Sequence, residues 1–336
     1  MDMIPVFVGL DYHQASVQVC VMNREGRVLA NRKCPNDRRA IELVVMPLGT
    51  IVHAALEVSN GAADLADELV SQSGWTVDLA HPGYVSRIKQ SPDKSDYSDA
   101  QLLADLERVG YLPRVWHAPQ MIRELRRLVR YRQQLAAERR QLKMRIRALL
   151  RDHRLTGSEA NAWTKAWLAW VAVVTLPEVS RWIMDRHLEE LTQLASRIRT
   201  VEARLEELIP KDRLIQRLLT LPGVGLVTAV TIRAEIGRFD RFRNGKQLAR
   251  FCGLSPRNAS SGARQADAGI IKAGNEELRR VLTQAAHRLI RHEPRWQLLA
   301  NRLKQQGKRV PVIVAAVANR WVRSLYHELQ ELGLAT

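Results

Sequence analysis

Two short apolar runs near the start of the chain, Val6–Leu10 and Ile51–Leu56, each stop on a carboxylate, Asp11 and Glu57. Runs of this kind are strands buried within a sheet, and strand ends lying side by side bring Asp11 and Glu57 to one edge of the structure. Between them, Ser16–Met22 alternates as a second strand, Asn23–Gly26 supplies a turn, and Val28–Lys33 forms a third strand. Asn36 or Asp37 can cap a helix running to about Met46. Ala62–Ser71 follows as a helix and Trp75–Ala80 as a further strand. The order is three strands, helix, strand, helix, strand, helix, which resembles that of an α/β ribonuclease H-like domain.

The last helix of that series opens at Lys94-Ser95-Asp96-Tyr97-Ser98-Asp99-Ala100 and continues with helical apolar spacing. Asp96 and Asp99 stand at i and i+3, which places both carboxylates on one helix face about one turn apart. Two like charges so placed either hold a cation between them or are solvated at the helix start. Together with Asp11 and Glu57 they make an acidic focus suited to hard divalent cations such as Mg²⁺, and the set fits a two-metal site better than any structural account.

The rest of the chain is basic and largely helical. Lys and Arg total 52 against 35 for Asp and Glu, a net charge of +17, while 46% of residues are hydrophobic. A folded protein with that excess takes a polyanionic partner, most simply DNA or RNA. Much of the charge lies between Arg123 and Arg154, where Arg126, Arg130 and Arg140 are among many arginines facing few acids. Leu125, Leu128, Leu135, Leu142, Ile146 and Leu149 mark a heptad seam there, and a second seam runs from Leu188 to Leu208. The two read as an antiparallel helical hairpin or as a pair that also meets another protomer, with the arginines contacting phosphate or forming a solvated face. Trp163, Trp167 and Trp170 form one helical stripe, read as packing and given no function.

Leu221-Pro222-Gly223-Val224-Gly225 resembles the turn of a helix-hairpin-helix motif, in which Gly223 and Gly225 let backbone amides approach a phosphate. Beyond it, Arg257 and Arg264 flank a small-residue loop containing Ser260 and Ser261, and Lys272-Ala273-Gly274-Asn275 precedes a helix over Glu276–Arg291. Arg257, Arg264 and Lys272 join the nucleic-acid-binding candidates. No local arrangement resembles a hydrolase triad, so spacing alone does not make Ser261 a nucleophile. Cys20, Cys34 and Cys252 are scattered, as in reduced cytoplasmic proteins. No secretory signal and no apolar run long enough for a membrane span is expected, and no phosphate-loop ATPase motif occurs.

Taken in order, Val8-Gly9-Leu10-Asp11, Leu56-Glu57, the Lys94–Ala100 stretch, the Leu221–Gly225 turn, Gly253-Leu254-Ser255-Pro256, Ser261-Gly262 and Lys272–Asn275 resemble the DEDD transposases of bacterial insertion sequences, the bridge-RNA-guided recombinases. The resemblance covers nearly the whole chain but leaves out the tryptophan stripe. It implies a RuvC-like DEDD domain over 1–114, a basic coiled-coil connection over 115–210 and a mainly α transposase domain over 211–336. By the same resemblance Asp11, Glu57, Asp96 and Asp99 hold Mg²⁺ and Ser261 is the nucleophile, Ser260 leaving the register open by one; Asp93 is outside the matching pattern. It further implies donor and target DNA, a structured guide RNA, and a homo-oligomer from dimer to tetramer. Two other functions fit the residues: a junction-resolving nuclease that uses water at the same acids, and a non-enzymatic nucleic-acid-binding protein.

Overall fold

The computed structural model describes residues 4–89, 95–155, 161–258, 267–270 and 274–335. The chain divides into two units, Met1–Ala118 and Pro119–Thr336.

The first unit is built on strands β1 (Pro5–Tyr12), β2 (Ser16–Met22), β3 (Val28–Pro35), β4 (Ile51–Glu57), β5 (Thr76–Ala80) and a short edge strand β6 (Arg114–Val115). Helix α1 (Arg38–Val45) precedes β4, α2 (Ala62–Ser73) precedes β5, and α3 (Pro82–Ile88) and α4 (Asp96–Arg108) separate β5 from β6. The sheet order is β3-β2-β1-β4-β5-β6. β1 and β2 form an antiparallel hairpin extended by β3, whereas β4 joins β1, and β5 joins β4, in parallel. The sequence anticipates these strands; α3 and β6 are additions, a single helical turn or two and a two-residue strand being too short to leave a period.

Alternation decides which helix covers which face. Val6, Val8 and Leu10 pack with Ile41, Val45, Leu65 and Leu69 of α1 and α2. Cys20 and Met22 pack with Ala100 and Ala104 of α4 on the opposite face. Covered on both sides, β1 reads as a continuous apolar run rather than an alternating one. The capping residues are those expected from their chemistry: Asp37 accepts from the Ala40 amide at 3.1 Å, and Ser95 from the Ser98 amide at 3.1 Å.

The second unit is mainly helical. Helices α5 (Gln120–Asp152) and α7 (Glu178–Glu206) are its long members, with α6 (Lys165–Val173) between them. They run antiparallel, as Arg132 pairs with Glu202 at one end and His153 contacts Ser180 at the other. After them come α8 (Arg213–Leu219), α9 (Leu226–Ile236), α10 (Gly245–Phe251), the antiparallel pair β7 (Pro256–Asn258) and β8 (Asp267–Ile270), then α11 (Glu276–His292), α12 (Pro294–Gln305) and α13 (Val310–Glu331). The seam residues Leu135, Leu142, Ile146, Leu194 and Ile198 share one core with Ile215, Ala229, Leu282 and Trp321. Trp167 is buried in that core; Trp163 and Trp170 pack at its margin, with the Lys143 ammonium 4.6 Å from the Trp163 ring centroid.

Candidate functional site

Asp96 and Asp99 come close to Asp11 because a glycine lets a helix lie directly on a strand. A Cβ on Gly9 would fall 1.8 Å from the Ala100 carbonyl oxygen and 2.6 Å from the Ala104 nitrogen. With no side chain at Gly9, α4 descends onto β1, and its first turn, carrying Asp96 and Asp99, reaches the end of the strand where Asp11 stands. Asn31 of β3 fixes the same turn, donating to the Tyr97 carbonyl at 3.0 Å while accepting from Gln18 at 2.7 Å. In the parallel register Leu10 pairs with Leu56, so Asp11 and Glu57 follow at neighbouring strand ends.

A residue absent from the expected set sits among these acids. His13 Nε2 lies 3.3 Å from Asp11 Oδ2 and 3.3 Å from Asp96 Oδ1. One ligand atom from each of Asp11, His13 and Asp96 falls within 4.8 Å of the other two. Lys33 Nζ approaches Asp96 at 3.8 Å, and Lys89 Nζ forms a close ion pair with Asp99. Burial pushes the Asp11 carboxyl above its ordinary range; His13 opposes that, and the neighbouring charges of Asp96 and Asp99 add to it. Such a carboxylate gains from a nearby cation. The donor set of carboxylate oxygens with one imidazole fits a divalent metal ion.

The second unit distributes its basic residues between two roles. Arg126 donates to the Ala234 carbonyl at 3.0 Å, and Arg130 engages both oxygens of Glu235 at 3.1 and 3.2 Å. Glu235 is nearly buried and also accepts from Asn275 at 2.8 Å, so this arginine pair holds α5 to α9 and to the start of α11. Arg140 instead is exposed, on a cleft of about 580 Å³ that Arg139, Arg280 and Arg288 also line, with Gly225 at the start of α9. Gly223 has a positive φ of 76°, and its carbonyl accepts from Arg288 at 3.2 Å. A Cβ there would meet the Ala285 carbonyl at 3.2 Å, whereas one on Gly225 would meet nothing within 4 Å. Gly223 is therefore packed toward α11, and Gly225 is the open glycine of the turn.

Arg257 is exposed on β7. Ser260, Ser261, Arg264 and Lys272 lie outside the described residues, as does Asp93. The segments on either side of the serine loop are tied together: Pro256 pairs with Ile270, and a Cβ on Gly274 would fall 2.4 Å from the Gly253 nitrogen. The close approach leaves no room for a side chain at Gly274.

His13 was legible in principle, since residues i and i+2 at a strand end point to one side and a histidine two past an acid reaches the same edge. Lys33, Lys89 and Glu235 had no such signal. Their roles depend on contacts from distant segments.

Comparison with known proteins gives two family matches. A model of the IS110 DEDD transposase domain, described as Transposase, matches residues 8–154, and one described as Transposase IS116/IS110/IS902 family matches 215–301. The chain is 28% identical over 289 residues to the transposase for insertion sequence element IS1111A of Coxiella burnetii, covering 85% of this chain and 78% of that protein. It is 28% identical over 331 residues to a probable family 20 transposase of Pseudomonas aeruginosa, covering 95% of each. With the transposase of element IS1328 from Yersinia enterocolitica it shares 25% identity over 279 residues, 83% of this chain and 82% of the relative.

Proposed function

The chain belongs to the IS110/IS116/IS902 transposases, enzymes that act on DNA, and from that premise we propose that it cuts and rejoins DNA with Ser261 as nucleophile and a Mg²⁺-binding acidic cluster, directed by a structured RNA. Its first unit is then a RuvC-like ribonuclease H-type domain, and its α5/α7 pair a coiled-coil connection. The observation that carries the metal reading is the convergence of Asp11 and Asp96 around His13, with both carboxylate oxygens 3.3 Å from the ring nitrogen.

Asp11, Glu57, Asp96 and Asp99 would hold the metal, which when bound stabilises charge on a phosphodiester under attack. Ser261 Oγ attacks phosphorus, the bond to the 3′-oxygen breaks, and that oxygen takes up a proton. The products are a 5′-phosphoserine linkage and a free 3′-hydroxyl. A 3′-hydroxyl of the partner strand then attacks the phosphoserine, restoring a phosphodiester and returning the serine. Because the bond is conserved in the covalent linkage, no nucleotide hydrolysis is needed. Gly225, Arg140, Arg257, Arg264 and Lys272 would grip nucleic-acid backbone, with Gly223 shaping the turn that presents Gly225, and a dimer or tetramer would bring serine and acids of different protomers together.

Trapping protein–DNA adducts under denaturing conditions tests the proposal. Wild type forms them, Ser261→Ala does not, and Asp11→Asn loses both adducts and excision. Full cleavage by Ser261→Ala without any adduct would mean that water is the nucleophile and the serine reading is wrong.

A further inference from the structure

We propose that His13 is itself a ligand of the metal at this site, so that the centre carries a nitrogen donor between the carboxylates of Asp11 and Asp96 and holds nitrogen-seeking transition ions more tightly than the carboxylates alone would. This rests on the acidic cluster being the metal site of the enzyme.

Three observations carry it. First, the His13 ring nitrogen is 3.3 Å from one oxygen of each acid. These gaps are close to the roughly 3 Å that separates neighbouring ligand atoms around an octahedral ion with bonds near 2.1 Å. Second, a single ring proton serves one carboxylate well and leaves the other without it, whereas a cation among the three atoms satisfies all of them. Third, the turn that presents the ring is fixed. The His13 amide donates to the Ser16 carbonyl at 2.9 Å, and its own carbonyl accepts from Asn36 at 3.0 Å. By contrast Lys33, 3.8 Å from Asp96, brings charge but no lone pair.

Imidazole favours Co²⁺ and its neighbours in the transition series, while oxygen donors suit Mg²⁺. Titration calorimetry of the full chain with Co²⁺ and with Mg²⁺, comparing wild type, His13→Ala and Asp11→Asn, separates the contributions. His13→Ala is expected to weaken Co²⁺ binding by about tenfold or more and Mg²⁺ binding by much less. Pulsed EPR on bound Mn²⁺ should show nitrogen modulation in wild type that disappears in His13→Ala. Unchanged or tighter Co²⁺ binding in His13→Ala, or no nitrogen modulation in wild type, overturns the assignment of His13 alone. Retention of metal affinity by Asp11→Asn, or no metal binding by wild type, would overturn the acidic-site reading and the His13 assignment with it.

Discussion

Gly9 and Ala100 touch backbone to backbone: a Cβ on the glycine would overlap the alanine carbonyl, at 1.8 Å. Neither atom can move without shifting β1 or α4. Gly9→Ala therefore has no side-chain rearrangement to absorb it, and overpacking of this kind costs about 1–3 kcal/mol or more. The expected result is a lower denaturation midpoint together with weaker divalent-metal binding, because α4 carries Asp96 and Asp99. A Gly9→Ala protein with wild-type metal affinity would show that the helix start is positioned by other contacts, of which Asn31 to Tyr97 is the foremost.

Asp11 gives a pH signature. Its carboxyl is held above the ordinary range, burial being the main cause. Between the unfolded and the raised folded values the native chain binds more protons than the unfolded one, so this group's contribution to stability falls as pH rises through the folded value. Above that value the ionised, half-buried carboxylate is a standing penalty. In chelator at neutral pH, Asp11→Asn should denature at the same or a higher denaturant concentration than wild type, and the gap should close in acid. Added divalent metal should stabilise wild type only. An Asp11→Asn protein less stable than wild type in chelator at neutral pH would mean that His13 outweighs the burial cost.

Glu235 is the keystone of the contacts among α5, α9 and α11. It is 6% exposed and receives Arg130 and Asn275, with Arg126 3.8 Å away. Burial already draws the Arg126 guanidinium below its usual range, so removing its acid leaves a desolvated cation. Glu235→Ala is expected to cost about 3 kcal/mol, as for other broken buried pairs, with Glu235→Gln intermediate. Chemical denaturation followed by circular dichroism measures this. A loss below 1 kcal/mol would mean that the Ala234 carbonyl alone satisfies Arg126.

The sequence carried the strands of the first unit and the two long helices because each has a local run, period or cap: the continuous apolar run Val6–Leu10, the alternation of Ser16–Met22, Ser95 at a helix start, leucines at heptad spacing. It also carried Asp11 and Asp96, since strand ends and helix starts are local positions. It did not distinguish Arg126 from Arg140, two arginines fourteen positions apart on one basic helix. What separates them is Glu235, far along the chain, and no local period encodes a tertiary contact. His13 is ambiguous for a different reason: one histidine after a strand has many structural explanations until Asp96 is folded beside it.

That distinction between arginines yields a measurable difference in nucleic-acid binding. Arg140 is exposed on the cleft beside Gly225, whereas Arg126 is spent on Ala234 and Glu235. A cation free to neutralise a phosphate releases a counterion on binding, and losing one such contact lowers the magnitude of the salt slope by about 1. Arg140→Ala should therefore weaken binding to duplex DNA of any sequence, flatten its salt dependence and leave the denaturation midpoint unchanged. Arg126→Ala should do the reverse, lowering the midpoint through the lost hydrogen bond to the Ala234 carbonyl and the lost charge beside Glu235 while leaving the salt slope near wild type. Fluorescence anisotropy across a salt series, paired with denaturation of the same proteins, reads both quantities. If Arg140→Ala leaves the slope unaltered, the cleft at the start of α9 is not a phosphate-contacting surface, and the grip on nucleic acid must be sought at Arg257 and the loop beyond it.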